Sequence, residues 1–324
     1  MPKRTLVTGG AGYVGSVVVD ELLASGRAVR VLDALLHGSV PSLMVPFGKP
    51  QFEFVKGDVR DGEALEFALR DVDEVVHLAA VVGDPACARQ PELAQDVNVK
   101  ATEALIEAAE AAGVSRLLFA STCSNYGKMT DPEELATEEW DLRPVSLYAE
   151  TKVRAERAVL DGSRNGLATT CLRFATVYGT SPRMRFDLTV NEFTRDVVLT
   201  GDLVVYGEQF WRPYIHTRDA ARAVRTALDA PVEKVKGNVF NAGNTNENYR
   251  KLDIVELLKE RVPTADVQFV KKDEDPRDYR VSFGKIEREL GYSTERTVPR
   301  GIDEVTSLLK SGLLDDAFAS IYRN

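Results

Sequence analysis

The chain has few of the residues that would commit it to metal, disulfide or membrane chemistry. Its three cysteines (Cys87, Cys123 and Cys171) and three histidines (His37, His77 and His216) are scattered through 324 residues. They are too few for a disulfide framework, and none falls at metal-ligand spacing. No apolar run is long enough to span a bilayer. Lys and Arg number 41 against 50 Asp and Glu, a net charge of −9. That balance argues against a nucleic-acid backbone as the main partner and leaves room for a local basic pocket. The chain begins Met1-Pro2-Lys3-Arg4 and enters an apolar strand at once, so no signal peptide is expected, and a cytoplasmic, metal-free protein is. Repeats and low-complexity tracts are also absent.

What is present is an ordinary globular composition, 44% apolar and 28% charged, with enough length for a substantial core. In the first half, short apolar runs alternate with helical patterns. Arg4–Thr8, Ala28–Asp33, Phe52–Lys56, Glu74–Leu78, Arg116–Ser121 and Ala168–Arg173 are expected as strands. Val14–Ser25, Gly62–Leu69, Glu92–Ala112 and Val145–Asn165 are expected as helices. In Glu92–Ala112, Leu93, Val97, Ala101, Ala104, Leu105 and Ala108 recur at helical spacing. Such alternation predicts an α/β fold, a Rossmann-type doubly wound parallel sheet with its ligand crevice at the carboxyl ends of the strands.

After Gly179 the rhythm changes. Ser181–Arg185 is loop-like, and Leu188–Leu199, His216–Leu228, Ile254–Arg261 and Lys285–Leu290 are expected as helices. Leu203–Tyr206 and Asn238–Asn241 are expected as strands. The division expected is a dinucleotide-binding domain over residues 1–178 and a smaller C-terminal α/β substrate domain over 179–324. Part of 210–243 is expected to return to the first.

Thr8-Gly9-Gly10-Ala11-Gly12-Tyr13-Val14-Gly15 joins the first strand to the first helix. A Cβ at Gly9, Gly12 or Gly15 would obstruct the tight turn, the close approach to a diphosphate or the packing of helix on sheet. The helix N-terminus adds free N–H groups and a positive dipole end. Asp33 ends the second strand at the distance expected of a carboxylate that accepts both ribose hydroxyls. Ala34 and Leu35 follow it, with no adjacent cation for a 2′-phosphate, which favours NAD over NADP. Far downstream, Tyr148 and Lys152 are one helical turn apart on a shared face. A nearby ammonium favours the phenolate, so Tyr148 is expected to have a lowered pKa and to serve as a general base toward a hydroxyl.

These motifs occur together with Gly57-Asp58-Val59, His77-Leu78-Ala79-Ala80, Asn98-Val99, the Ser121–Gly127 turn and Arg212-Pro-Tyr-Ile-His216. In that order the chain resembles the extended short-chain dehydrogenase/reductase family, in particular its NAD-dependent nucleotide-sugar epimerases and dehydratases. The resemblance implies that Asp58 and Val59 recognise adenine. It also implies that Tyr13, Val14, Leu78, Ala79, Ala80, Asn98 and Ser121 line the cofactor, and that Lys152 bonds the nicotinamide ribose. Thr122 stands where the family has its catalytic Ser or Thr, and His77 is then a packed strand residue. The family's dehydratases carry Asp-Glu at the positions of Cys123 and Ser124, and its decarboxylases keep the Glu. Neither carboxylate is here. Cys123 remains open as an acid or base, or as a packing residue.

On the substrate side, the resemblance assigns Arg212 and Arg277 to a diphosphate, with Arg183, Arg185 and Arg280 as possible helpers. Thr176 stands where many of the family's epimerases carry an Asn, Asn191 is the candidate to supply that amide instead, and Asp84 is a candidate hydroxyl acceptor. The leading expectation is a nucleotide-sugar 4-epimerase acting on a nucleoside-diphosphate sugar. A dehydratase or 3,5-epimerase using Cys123, a keto-sugar reductase and a non-catalytic NAD-binding protein are the alternatives. The resemblance also implies a homodimer built on the helices Glu92–Ala112 and Val145–Asn165.

Overall fold

The computed structural model describes residues 2–129, 131, 134–163, 166–271 and 277–324. Among the described residues, twelve strands form three sheets. In chain order they are β1 (Arg4–Thr8), β2 (Ala28–Asp33), β3 (Phe52–Lys56), β4 (Glu74–His77), β5 (Arg116–Thr122) and β6 (Ala168–Phe174). Then come β7 (Thr176–Tyr178), β8 (Asp202–Tyr206), β9 (Trp211–His216), β10 (Asn238–Ala242), β11 (Asn248–Arg250) and β12 (Asp266–Val270).

The largest sheet has the order β10-β6-β5-β4-β1-β2-β3, and every pairing in it is parallel. Its central strands are buried on both faces, which is why they read as continuous apolar runs rather than alternating ones. Successive residues still go to opposite sides. Leu6, Val75 and Leu117 enter one core, and Val7, Val76 and Leu118 enter the other. The strand order reverses between β1 and β4, so the crevice opens above their carboxyl ends.

The second half contributes to both parts of the molecule. β10 adds to the edge of the large sheet, from Asn238 opposite Thr170 to Ala242 opposite Phe174. Helix Thr217–Asp229 packs on helix Tyr13–Ala24. The remaining strands form a three-stranded sheet β11-β9-β7 and a two-stranded sheet β12-β8. A separate core of Tyr178, Phe193, Tyr214, Ile254, Leu258 and Ile302 binds them to their helices.

Most expected elements form with small shifts of boundary. β4 stops at His77, and β5 runs one residue further, to Thr122. The helix that carries Tyr148 and Lys152 spans Leu147–Asp161, and its expected end at Asn165 lies outside the described residues. The single helix expected over Glu92–Ala112 is instead three pieces, Pro91–Gln95, a π-helical turn Asp96–Lys100, and Ala101–Ala111. The π-turn carries Asn98, whose side chain is bonded outward to other elements. β7, β9, β11, β12 and helix Val298–Lys310 were not anticipated. The first and third are three residues each, too short to show a period, and β12 is exposed along most of its length.

Candidate active site

The glycine turn is shaped as a cradle. Gly9 has φ +71°, and a Cβ there would lie 2.7 Å from the backbone nitrogen of Ala79. A Cβ at Gly15 would collide with the Gly9 carbonyl oxygen. The helix Tyr13–Ala24 starts on Gly12 with no side-chain cap and no acidic residue in its first turn. Its leading N–H groups and positive dipole end are therefore free for an anion. Asp33 accepts the Ala11 N–H at 3.0 Å and the Leu35 N–H at 2.8 Å. Burial raises its pKa, while those bonds and the charges of His37 and Arg183 oppose the rise. A carboxylate has further lone pairs, so two ribose hydroxyls can still be accepted. The residues present fit the adenosine and diphosphate of a dinucleotide.

Several expected cofactor contacts have other roles in this structure. The Asp58 carboxylate is held by the backbone and guanidinium of Arg60, which lowers its pKa, and Val59 is buried in the core. Tyr13 sends its hydroxyl away from the crevice to the Gly179 carbonyl at 2.7 Å, so only the start of its helix remains for a ligand. Asn98 accepts the Val81 N–H and donates to the Val81 carbonyl and Thr151 Oγ1. It fastens the loop after β4 to the helix of Tyr148 and Lys152, and its amide is thereby committed to protein partners. Ser121 donates to Glu156 Oε2 at 2.5 Å and accepts from Asn125, which turns its hydroxyl inward. Leu78, Ala79 and Ala80 are half-buried at the end of β4, as a crevice wall requires. His77 lies between Thr8 Oγ1 and Thr102 Oγ1, and burial pulls its pKa down to about 3. It is a packed neutral imidazole.

Tyr148, Thr122 and Lys152 come together at the carboxyl end of β5. The Tyr148 hydroxyl is hydrogen-bonded to Thr122. Its pKa is raised, not lowered as expected, because burial outweighs the favourable bond from Thr122 and the charge of Arg185. Taking the phenolate out of water is the larger effect. Lys152 is buried. Its Nζ donates to the Ala120 carbonyl at 2.8 Å and lies 4.6 Å from the Phe119 ring centre. Desolvation lowers its pKa to about 8. Two of its three N–H donors remain for a ribose.

Cys123 resolves as a packing residue. Its thiol is buried, 3.2 Å from the Arg173 carbonyl, and burial pushes its pKa well up. Such a thiol is poorly suited to act as an acid or base. Sequence reasoning missed what lies behind it. Tyr148, Lys152 and Glu156 recur every four residues along one helix stripe, and buried Glu156 pairs with buried Arg173 at 2.6 Å. The i+4 spacing from Lys152 was the available signal.

From the other wall, Arg277 reaches Asp84 at 2.7 Å, and Ser146, at the start of the Tyr148 helix, also donates to Asp84. The charge of Asp84 reaches Tyr148. Arg212 is buried, donates to the Trp211 carbonyl and stacks over Tyr279. Thr176 is half-buried at the start of β7. Asn191 is a correction. Its fully buried amide accepts the Gly179 N–H and donates to Tyr13 Oη, with the Gly179 and Arg185 carbonyls also in reach. Nothing is left for a substrate.

Among the described residues, no cluster of His, Cys, Asp or Glu could hold a metal ion, and no helix is long and apolar enough to cross a membrane.

The chain is similar to proteins of one kind. It is 29% identical to the UDP-glucose 4-epimerase of Lactobacillus helveticus, over 93% of this chain and 94% of that one. It is 28% identical to UDP-glucuronic acid decarboxylase 1 of Arabidopsis thaliana, over 97% of this chain and 71% of that one. Its fold matches the NAD-bound structure of DesIV, a dTDP-glucose 4,6-dehydratase from Streptomyces venezuelae. There the TM-score is 0.84 and the identity 29%, over 95% of this chain and 98% of that one. The model of the NAD dependent epimerase/dehydratase family matches residues 5–243. With the glycine cradle, Asp33 and the Tyr148–Lys152 pair in place, the chain belongs to that family.

Proposed function

We propose that the protein is a nucleotide-sugar 4-epimerase that works with bound NAD. The observation that carries this reading is the end of β5. Tyr148 and Thr122 present a hydrogen-bonded hydroxyl pair, and the two positions after Thr122 hold no carboxylate. NAD, when bound, supplies a hydride acceptor and later returns the hydride. Thr122 aligns the sugar C4 hydroxyl, and Tyr148 takes its proton and gives it back. Lys152 beside the tyrosine favours the phenolate once its ammonium turns to the ribose. The active-site roles of Tyr148, Lys152 and Thr122 belong to this proposal, as does the assignment of residues outside the large sheet to the sugar nucleotide.

A dehydratase must also protonate a leaving hydroxyl and remove a proton from carbon. Cys123 is buried against a carbonyl, and Ser124 faces Tyr279 Oη at 3.3 Å. Among the described residues, the carboxylates whose charge reaches Tyr148 or Cys123 are engaged by protein groups: Asp84 by Arg277 and Ser146, Glu156 by Arg173, and Glu138 by the Asn241 N–H. These pairings weigh against dehydration and against 3,5-epimerisation through Cys123. A reductase would need a net supply of reduced cofactor, whereas an epimerase needs none.

The test is incubation of purified protein with UDP-, GDP-, dTDP-, CDP- and ADP-sugars without added cofactor, followed by NMR and mass spectrometry. Isomerisation at unchanged mass is expected, and loss of water or carbon dioxide would overturn the reading. The same reading expects a homodimer, with helices Ala101–Ala111 and Leu147–Asp161, packed together in one chain, facing their copies. Light scattering giving a monomer mass would remove that part.

A further inference from the structure

Arg183 belongs to the loop that follows β7, outside the large sheet, yet that loop is bonded to the helix of the glycine turn. The loop is fastened to the glycine-turn helix. Ser181 Oγ donates to the Tyr13 carbonyl at 2.7 Å and meets Ser16 Oγ at 3.0 Å, and the Arg183 N–H meets Ser181 Oγ at 3.3 Å. From there the guanidinium reaches toward the end of β2, where its charge acts on both Asp33 and His37.

The guanidinium is buried and poorly satisfied. Arg183 is only 6% exposed. One Nη2–H donates to the Arg323 carbonyl at 3.0 Å, and Nε has no acceptor. The neighbouring charge of Arg185 disfavours the cation further, and Asp187 and Asp33 oppose this through their charges alone. Arg185, two residues on, differs in this respect, because Asp187 holds it through two bonds of 2.9 and 2.8 Å. A buried cation with an unmet donor is costly without an anion. Beside it is a helix N-terminus that has no acidic residue in its first turn.

We propose that Arg183 is a cofactor-binding residue that donates to the diphosphate of NAD from the side opposite the glycine turn. The anion then lies between the helix N-terminus and the guanidinium, and Asp33 next to it takes the ribose. Binding joins the two parts of the chain, since one gripping surface comes from the large sheet and the other from the loop after β7. Arg183 thereby slows departure of a cofactor that is regenerated at every turnover. The inference needs only the cofactor, whichever sugar reaction follows.

The test is calorimetric titration of nucleotide-stripped wild type, Arg183→Gln and Arg183→Lys with NAD, ADP-ribose and adenosine. A charge-assisted bond to phosphate is worth about 1.5–3 kcal/mol, so R183Q should bind NAD and ADP-ribose about 10- to 100-fold more weakly. Adenosine, which has no phosphate, should bind both proteins within about twofold. R183K keeps the charge without the planar fork and should fall between. If R183Q does not fold, R183K carries the comparison. Wild-type NAD affinity in the variants, or an equal loss for adenosine, would overturn the proposal.

Discussion

The two walls of the crevice handle their polar groups differently. On the large-sheet wall, Asn98, Ser121, His77, Glu156 and Arg173 are buried and bonded to other protein groups. From the facing wall, Arg277 reaches across to Asp84 in a half-exposed pair, and Arg183 leaves a donor unmet. The first wall is therefore preorganised to hold Tyr148 and Lys152 in a fixed geometry. The second retains cations that a phosphate-bearing ligand can recruit, because a partly solvated ion pair exchanges partners at little cost. In the proposed function, chemistry and recognition are divided between the walls for this reason.

Substitutions on each wall should separate these roles. The largest effect is expected for Tyr148→Phe, which removes the proposed proton acceptor. Nucleotide-sugar conversion should fall by about 10²–10⁴-fold, with NAD affinity and melting temperature kept. Survival of turnover would remove the catalytic role of the first wall. Next, Glu156→Ala leaves Arg173 buried without its partner and should destabilise the protein by about 3–5 kcal/mol in urea unfolding. A loss no greater than that of an exposed pair would show that this wall is not held by its buried charges.

Arg277→Ala on the second wall should raise KM for the sugar nucleotide about tenfold and change stability by about 1 kcal/mol or less. A drop in kcat with unchanged KM would break the division between the walls.

The pH dependence of stability follows from His77. Its pKa in the fold is about 3, against 6.5 for the free side chain. Below pH 6.5 the unfolded chain binds the extra proton, so stability is lost progressively as the pH falls from about 6.5 toward 3. Urea midpoints of His77→Gln should decline less over that window, and parallel profiles would assign the acid sensitivity elsewhere. The smallest effect is expected for Cys123→Ala, with turnover unchanged and stability lowered by about 1 kcal/mol. Loss of turnover in a well-folded C123A would restore the thiol to the chemistry.

Much of the first wall was legible because its signals are local. The glycine turn, Asp33 at a strand end and Tyr148 with Lys152 each depend on contacts within a few residues or on helical period. The same locality misled where partners are distant. Asn191 and Ser121 suit polar contact with a ligand by residue type, but Tyr13 and Glu156 occupy them from 178 and 35 positions away. The tyrosine pKa failed for a related reason. Proximity of Lys152 is written in the spacing, whereas desolvation depends on how many other elements cover the ring.

The second wall was read less well. β9 and β7 pair across intervening chain, and β11 is three residues long. No local period marks such strands, which form because tertiary pairing satisfies their backbone groups. The π-turn at Asp96–Lys100 is similar. It occurs within an uninterrupted helical pattern.

Taken alone, the sequence determined the parallel sheet, the dinucleotide turn, the tyrosine–lysine pair and the family, because backbone geometry and side-chain period express these directly. The tertiary structure decided which polar side chains remain free. It turned Cys123, Ser121 and Asn191 inward, paired Asp84 with Arg277 and fastened the loop of Arg183 to the glycine-turn helix. Hydrogen-bonding capacity is finite, and which partner takes it up depends on residues that only folding makes neighbours.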